Sequence, residues 1–416
     1  MRAMKDSGFE WIGEMPEEWE LRQAGQLAEQ IKHPNENLQE TNLLSLSYGK
    51  VKRRDINATD GLLPASFETY NIIESDDIVL RFTDLQNDQK SLRVGRATER
   101  GIITSAYVTV RPFDASYSRF MYYALHAYDL RKGFYGMGAG VRQGLKWQEA
   151  KYINLPWPGS SEQVRIADYL DAKCEEIDRA ITAAEQSIQE YKAYKNSVIF
   201  QAVTKGLNPD VPMKDSGIEW IGEIPSGWSV CRGKNILNLL SRPVKEDDGI
   251  ITCFRDGEVT LRSNRREEGF TVALKEFGYQ GIEPGDLVVH GMDGFAGSIG
   301  VSDSRGKGSP VLNVLDSTQS KRYLMYYLRG LAYRDVFMAL STGIRVRSCN
   351  LSWNKLATLS FVLPSYSEQE KIADYLDSIV AKIDETKASK QTIIGELKAY
   401  KKSLIYEVVT GKREVR

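Results

Sequence analysis

The chain is poor in cysteine and histidine, and it has no long apolar run. Its 416 residues include four cysteines and three histidines. The cysteines lie far apart without a Cys-x-x-Cys pair, which argues against a structural zinc site and a disulfide framework, so we expect buried free thiols. No stretch approaches the roughly 20 apolar residues of a membrane helix. The first residues lack the apolar core of a signal peptide, which predicts a cytoplasmic protein.

An excess of positive charge is also missing. The net charge is −1, and 42% of the residues are hydrophobic and 27% charged, which is typical of a soluble globular protein. A non-specific nucleic-acid binder is expected to be strongly basic, so this class is disfavoured. Sequence-specific DNA binding is not excluded, because the clustering of charge matters more than its sum.

No catalytic motif is complete in this sequence. The segment FYGMGAG at 134–140 resembles the F-x-G-x-G cofactor loop of methyltransferases, but no [DN]-P-P-[YF] motif accompanies it. The segment GKGS at 306–309 lacks the upstream glycine and the final hydroxyl residue of a P-loop. His33, His126 and His290 are scattered, without a cysteine or acid cluster nearby. We therefore predict a chain with no catalytic residues, no metal site and no bound cofactor.

The sequence does contain an internal repeat, which indicates a duplicated unit. Residues 4–19 (MKDSGFEWIGEMPEEW) match residues 213–228 (MKDSGIEWIGEIPSGW) at twelve of sixteen positions. Two further pairs of segments recur: SEQVRIADYLD at 161–171 with SEQEKIADYLD at 367–377, and KAYKNSVIFQAVT at 192–204 with KAYKKSLIYEVVT at 398–410. The intervening segments diverge strongly. Each half therefore has a frame, formed by the repeated segments, and a private interior, formed by the divergent ones. The interiors diverged either because the two copies acquired different specificities or through neutral drift.

The interiors keep only weak similarity. They align Asp77-Ile-Val with Asp286-Leu-Val, Met121-Tyr-Tyr with Met325-Tyr-Tyr, Gly140-Val-Arg with Gly343-Ile-Arg, Trp147 with Trp353, and Gly49–Arg54 with Gly257–Arg262. Short apolar runs separated by glycine, aspartate and asparagine predict strands and turns. A helix is predicted at 116–131, so each interior is expected to form a mixed α+β head.

A long helix follows each head. Proline before a serine indicates its start, and the glycines near 206 and 411 indicate its end. The predicted domains are a first head at 1–157, a helix at 158–206, a second head at 207–363 and a helix at 364–416. Apolar heptad positions predict a coiled-coil seam formed by Leu170, Ile177, Ile181, Ile188, Tyr191 and Val198 with Leu376, Ile383, Ile394, Leu397 and Leu404. Lys387 and Lys390 also fall on the seam. Either the middle of the second helix shifts its heptad register, or the aliphatic stems of these lysines lie along the seam with their charges in water.

The distribution of charge predicts how the helices pair. Residues 162–190 hold eight acids and three bases, whereas residues 191–205 hold three bases and no acid; the second helix repeats this pattern. Antiparallel pairing places acid against base and suits both helix dipoles. We therefore expect an α+β fold with two heads joined by an antiparallel coiled coil, in pseudo-two-fold symmetry. The first MKDSG segment should lie near the end of the second helix.

The repeated motifs together resemble the specificity subunit of type I restriction–modification systems. The resemblance rests on MKDSGxEWIGExPxxW, G-[VI]-R, SEQxxIAxYLD and KAYKxSxIxxxVT, and it covers nearly the whole chain twice. It implies two target recognition domains that read a bipartite, asymmetric DNA site. It implies that the helices bind two modification (adenine methyltransferase) subunits, which restriction subunits join. It also implies that the chain is not catalytic, with S-adenosylmethionine and Mg/ATP bound by partner subunits.

Basic clusters in both heads are candidates for DNA contacts, because arginine grips phosphate and reads guanine with two hydrogen bonds. The candidates are Lys50, Lys52, Arg53, Arg54, Arg93, Arg96, Arg142 and Lys146 in the first head, and Arg255, Arg262, Arg265, Arg266, Arg345 and Arg347 in the second. Arg54 aligns with Arg262. Polar residues such as Asn87, Gln89, Asn264 and Asp293 are further candidates. The alternatives are solvated charges, and a coiled-coil adaptor that joins two proteins without DNA.

Overall fold

The computed structural model describes residues 2–57, 64, 66–88, 90–137, 144–265, 277–339 and 351–415. The chain forms two compact units, Met1–Ala184 with Thr392–Arg416, and Glu185–Gln391. Each unit contains one head and a part of each long helix. The bounds of the units therefore fall within the two long helices and differ from the linear domains predicted from the sequence.

The first head is built on a four-stranded antiparallel sheet of order β4-β11-β8-β9, with two-stranded ladders β1-β2, β3-β12, β5-β6 and β7-β10. The strands are β1 (Met4–Asp6), β2 (Glu14–Pro16), β3 (Glu20–Gln23), β4 (Ala28–Ile31), β5 (Leu44–Ser47), β6 (Lys50–Arg53), β7 (Asn71–Ile73), β8 (Ile78–Leu80), β9 (Val94–Arg96), β10 (Gly101–Ile103), β11 (Val108–Pro112) and β12 (Asn154–Trp157). The helices are α1 (Ser118–Leu130), α2 (Trp147–Ala150) and the long α3 (Ser160–Lys205).

The second head repeats this topology, with a sheet of order β16-β23-β20-β21. The strands are β13 (Met213–Asp215), β14 (Glu223–Pro225), β15 (Ser229–Arg232), β16 (Asn238–Leu239), β17 (Ile251–Cys253), β18 (Val259–Leu261), β19 (Gln280–Ile282), β20 (Leu287–His290), β21 (Ile299–Val301), β22 (Gly306–Gly308), β23 (Leu312–Asp316) and β24 (Ser360–Leu363). The helices are α4 (Lys321–Ala332), α5 (Val336–Ala339), α6 (Trp353–Thr358) and the long α7 (Tyr366–Val409). The predicted α+β class is confirmed.

The central sheet strand of each head is buried on both faces. In β20, Val288 packs in the core under the β17-β18 hairpin, whereas Leu287 and Val289 pack in the core with α4. Because side chains alternate between the faces of a strand, a strand covered on both sides is apolar throughout. This explains the apolar runs Ile78–Leu80 of β8 and 287–289 of β20. It also places the β5-β6 and β17-β18 hairpins on the sheet face opposite α1 and α4.

The head helices α1 and α4 contact the long helices through equivalent groups. The Tyr123 hydroxyl donates to Asp171 at 2.7 Å, and the Tyr326 hydroxyl donates to Asp377 at 2.6 Å. The two aspartates are equivalent in the repeat, so the two tyrosines are equivalent as well. The alignment of the two Met-Tyr-Tyr segments predicted from the sequence is therefore wrong by one position. Consecutive tyrosines match in either register, which is why the sequence alone misplaces them.

One ion pair occurs twice between the long helices. In the first unit, Lys401 donates to Asp178 at 2.6 Å. In the second unit, Lys195 donates to Asp384 at 2.5 Å. A shift of 206 positions converts Asp178 into Asp384 and Lys195 into Lys401, so the two pairs are copies of each other. Each pair joins the acidic part of one helix to the basic part of the other, and the antiparallel prediction is confirmed within each unit.

Every predicted residue of the coiled-coil seam is buried or half-buried. The buried seam residues are Leu170, Ile177, Ile181, Leu376, Ile383, Ile394 and Leu404, and the half-buried ones are Ile188, Tyr191, Val198 and Leu397. Lys387 is half-buried and donates to Asp384 at 3.2 Å. The Lys390 ammonium lies 5.8 Å from the centroid of the Tyr191 ring. The stems of both lysines therefore lie along the seam, which was one of the two predicted alternatives.

The repeated segments at 4–19 and 213–228, the MKDSG segments, hold the start of a long helix. In the first unit, the indole N–H of Trp19 donates to Glu162 in the first turn of α3 at 3.0 Å. In the second unit, Trp228 donates to Glu368 in α7 at 3.2 Å. Both indoles are buried. The repeated tryptophan and the glutamate of SEQ are therefore a pair, which explains why both recur in each half.

The same segments also hold the end of the other long helix. Just past α7, the Lys412 ammonium donates to the carbonyl oxygen of Ile12. At the end of α3, the Lys205 ammonium donates to the carbonyl oxygen of Glu223. The prediction that the first MKDSG segment lies beside the end of the second helix is confirmed. Each MKDSG segment thus bonds to the start of one long helix and to the end of the other.

Acid should weaken the Trp19–Glu162 contact. Burial alone would raise the pKa of Glu162, but hydrogen bonds from Arg2 and Trp19 outweigh burial and hold it below the usual 4.5. A lowered pKa in the folded state stabilises the fold above the unfolded value, and this stability is lost as the pH falls through the folded value. We expect the unfolding free energy to fall below pH 4.5, and to fall less steeply in Glu162→Gln.

The measurement is urea unfolding followed by tryptophan fluorescence at pH values on either side of 4.5. Glu20→Gln is the matched control, because Glu20 is 68% exposed and pairs only with the exposed Arg22 among the contacts described. Equal acid sensitivity of Glu162→Gln and the parent chain would contradict the assignment.

Candidate nucleic-acid interface

Several predicted basic residues lie on or next to one equivalent hairpin, β5-β6 in the first head and β17-β18 in the second. The backbone N–H of Arg54 donates to the Leu43 carbonyl, and that of Arg262 donates to the Ile250 carbonyl, both at 2.8 Å. Arg54 and Arg262 therefore occupy equivalent positions at the end of their hairpins. The hairpins share a backbone frame, but they carry different side chains.

The first-head hairpin exposes a cationic strand. Lys52 is exposed, and Arg53 is 73% exposed and donates from its Nε to both carboxylate oxygens of Glu99. Lys50 donates instead to Asp178 of α3 at 2.6 Å, which ties the hairpin to the long helix. This strand can therefore present Lys52 and Arg53 to an anionic partner, whereas Lys50 also has a structural role.

The tip of the same hairpin carries an exposed aromatic residue. Tyr48 is 85% exposed and has a left-handed backbone with φ of 48°, a conformation that costs energy for a residue other than glycine and is enriched at functional sites. The Tyr122 hydroxyl donates to the carbonyl oxygen of the neighbouring Gly49 at 3.3 Å. A Cβ at Gly49 would press on the ring of His126. The tip is thus held from beneath while Tyr48 faces solvent.

The structure corrects the sequence prediction that Arg93 contacts DNA. Arg93 is fully buried, and its guanidinium donates to the carbonyl oxygens of Thr83 at 2.7 Å and Asp84 at 3.1 Å and also to that of Asp88. Arg93 organises the loop after β8 from inside, and the prediction that it contacts DNA is wrong. Arg96 is half-buried in an ion pair with Asp76. A basic cluster in the sequence does not reveal which of its members is desolvated.

The remaining candidates of the first head are Lys146 and Arg142. Lys146 is exposed at the start of α2, where its backbone N–H donates to the Glu149 carboxylate at 2.9 Å. Arg142 lies outside the described residues, as do Arg266, Arg345, Arg347 and Gln89. Their predicted contacts with DNA stay predictions.

The second head has a cleft of about 710 Å³ beside the β17-β18 hairpin. It brings together three arginines that the sequence predicted: Arg255, Arg262 and Arg265. Arg255 is 68% exposed and donates to Asp293 at 2.9 Å. Arg265 pairs with Asp256 and lies 4.2 Å from the centroid of the Phe254 ring. The cleft is therefore lined by arginine donors together with the carboxylates of Asp256 and Asp293, which orient two of them.

His290 lines the cleft and was not among the predicted contacts. Its Nδ1 accepts the backbone N–H of Met292 at 3.2 Å and that of Asp293 at 3.0 Å. Burial lowers the pKa of His290 below its ordinary value, so the ring is neutral at pH 7 and carries its hydrogen on Nε2. The lone histidine gave no signal in the sequence, because its role depends on the loop that folds back on it.

Among the described residues, no group of three or more histidine, cysteine, aspartate or glutamate side chains could hold a metal ion. Cys174 and Cys253 are buried free thiols and Cys231 is a half-buried one, whereas Cys349 lies outside the described residues. In the part of the chain that the structure describes, no helix is long and apolar enough to cross a membrane.

Comparisons with known proteins identify partial relatives. No protein-family model matches the chain. The EcoKI type I restriction enzyme specificity subunit of Escherichia coli K12 is 24% identical over 210 residues, which are 46% of this chain and 44% of that protein. The EcoBI specificity subunit of Escherichia coli is 31% identical over 134 residues, or 32% of this chain and 27% of that protein. The matches thus span less than half the length of these relatives.

Two solved structures share the fold over almost the whole chain. A chain from a study of complex assembly and conformational transition in the type I R-M system has a TM-score of 0.67 at 14% identity, and covers 96% of this chain and 99% of that one. The HsdS subunit from Thermoanaerobacter tengcongensis has a TM-score of 0.51 at 15% identity, with 96% and 98% covered. Together with the sequence relatives, they confirm the predicted resemblance.

Because Arg93 is buried, its replacement should destabilise the fold and should not act merely by removing a surface charge. Arg93→Lys should lower the unfolding free energy by about 2–4 kcal/mol, because one ammonium cannot satisfy the buried carbonyls that the guanidinium reaches. Urea denaturation measures the change. Arg22→Lys is the control at a half-exposed position and should stay within about 0.5 kcal/mol. A stability of Arg93→Lys equal to that of the parent chain would refute this role.

Proposed function

We infer that this chain is the specificity subunit of a type I restriction–modification complex, and that it binds DNA and does not catalyse a reaction. The observation that carries this conclusion is the duplicated frame. Two heads share one topology, each is tied to the start of a long helix by the same tryptophan–glutamate bond, and the same aspartate–lysine pair occurs twice between the long helices. The shared fold and the sequence similarity to specificity subunits support it.

The two heads read two unlike half-words of one bipartite site. Their equivalent hairpins expose arginine at different places: Arg53 on the second strand in the first head, and Arg255 at the tip in the second. Identical surfaces would read identical words, so different surfaces on one frame favour an asymmetric site. The spacing between half-words follows from the geometry of the protein, as in other two-headed DNA readers.

Partner subunits supply the chemistry in this proposal. The chain directs adenine methylation by two modification subunits, which bind the long helices, and restriction subunits join the full complex. S-adenosylmethionine and Mg/ATP belong to those partners. The private surfaces of the heads face the DNA, while the repeated surfaces of the helices suit two copies of one partner.

The direct test is adenine methylation mapped across the genome of the host, with and without this gene. Deletion should remove methylation from one bipartite motif, and complementation should restore it. An unchanged methylation pattern, or methylation without a motif, would refute the proposal.

An exchange of one head separates recognition from assembly. Replacement of residues 20–150 by the matching segment of a homologous chain should change one half-word and leave the other intact, because the bonds of Trp19 and Lys412 and the Asp178–Lys401 pair lie outside this segment. Insertion of one heptad in both long helices should instead lengthen the gap. A change of both half-words after the head exchange would contradict the division of labour.

A coiled-coil adaptor without DNA recognition is the second candidate, and it predicts a different response to salt. Phosphate contacts release counterions, so the affinity for DNA should fall steeply as salt rises. We expect the purified complex to lose roughly 10³-fold or more in affinity between 50 and 200 mM salt, if it makes about six phosphate contacts. Fluorescence anisotropy with labelled duplex DNA measures this. A flat salt dependence would favour the adaptor.

A further inference from the structure

The tip of the β17-β18 hairpin is a rigid turn. The N–H of Gly257 donates to the Phe254 carbonyl at 3.0 Å, and Gly257 has a left-handed φ of 95°, which favours glycine at this position. From beneath, the buried Arg329 of α4 donates to the Asp256 carbonyl at 2.6 Å. The backbone of Arg255, at the second position of this turn, is therefore fixed by its neighbours.

The side chain of Arg255 is exposed, but its ion pair with Asp293 restricts its direction. Its Nη2 atom donates to Oδ1 of Asp293 at 2.9 Å. The backbone N–H of Asp293 in turn donates to Nδ1 of His290 at 3.0 Å, which fixes the Asp293 loop. A nearby carboxylate reduces the attraction of an arginine to phosphate, but it restricts the direction of the guanidinium. This arrangement favours recognition of a base over a grip on the DNA backbone.

Only part of the Arg255 guanidinium is used by Asp293. Among the described residues only one N–H of Nη2 is engaged, so the second N–H of Nη2 and those of Nη1 can form the fork that guanidinium groups offer to two acceptors. Arg53 differs, because both its Nε and its Nη2 contact Glu99. Arg265 also differs, because its Nη1 is shared between Asp256 and Glu258.

We propose that Arg255 is a specificity-determining residue of the second head and reads one guanine in its half-word, with Asp293 as the residue that positions it. Guanine is the base whose major-groove edge presents two acceptors, O6 and N7. The fork of Arg255 presents two donors, and the cleft beside it is lined by further donors. This inference rests on the proposed function and deepens it.

The experiment compares methylomes of the host after the gene is deleted and restored with variants. The variants are Arg255→Ala, Arg255→Lys and Asp293→Asn, and the matched control is Arg53→Ala in the other head. The readout is the ratio of adenine methylation at sites with guanine to that at sites with another base, for each motif position. Because Arg255 is 68% exposed, its replacement should not disturb the fold.

The expected result is a loss of roughly 5- to 100-fold in discrimination at one guanine position after Arg255→Ala, with the other half-word unchanged. Arg255→Lys keeps the charge but not the fork, so it should also lose discrimination at that position. Asp293→Asn should lose part of it at the same position. Arg53→Ala should leave this half-word intact.

Other outcomes overturn the inference. A uniform decrease in methylation at all bases, or full recovery with Arg255→Lys, would show that Arg255 only attracts phosphate. An unchanged motif would show that it does not contact the site. In each of these cases the parent chain still produces a bipartite motif, so the proposed function stands. Absence of any motif with the parent chain would overturn the proposed function as well.

Discussion

The fold depends on an ion pair that the duplication made twice, Asp178 with Lys401 and Lys195 with Asp384. Each copy of the sequence supplies one aspartate and one lysine, and each finds its partner in the other copy. Lys195 is 7% exposed on an apolar seam, where an unpaired ammonium would be costly. A slipped register would separate Lys195 from its carboxylate. The pair therefore specifies the alignment of the helices more than it adds to stability.

The MKDSG segments extend this constraint to the heads. Trp19 contacts the start of α3, while the same segment receives Lys412 from the end of α7. The second unit repeats the arrangement with Trp228 and Lys205. A segment that fastens two helix ends cannot diverge without losing one of them, which explains its near-identity in both halves. The hairpins lie outside the contacts of these segments, and apart from Lys50, which bonds to Asp178 of α3, the hairpin side chains described above are free to differ.

The repeat and the heptads were enough to predict the frame, because periodicity and charge act over many residues. The long helices begin within two residues of the predicted starts, and their antiparallel pairing follows from the charge pattern. The site was harder to predict. Arg93 and Arg255 look alike in a sequence, but a loop buries the first and a turn exposes the second. His290 and Phe254 gave no signal, since their roles arise only from the folded cleft.

The central claim is that the frame is common to both halves and the head interiors alone choose the DNA word. It is tested most directly by a chain in which residues 20–157 replace residues 229–363, so that both heads are the first head. The measurement is the motif at which the host genome acquires adenine methylation with this chain. A motif with two copies of one word is expected. Retention of the parent motif, with two unlike words, would contradict it.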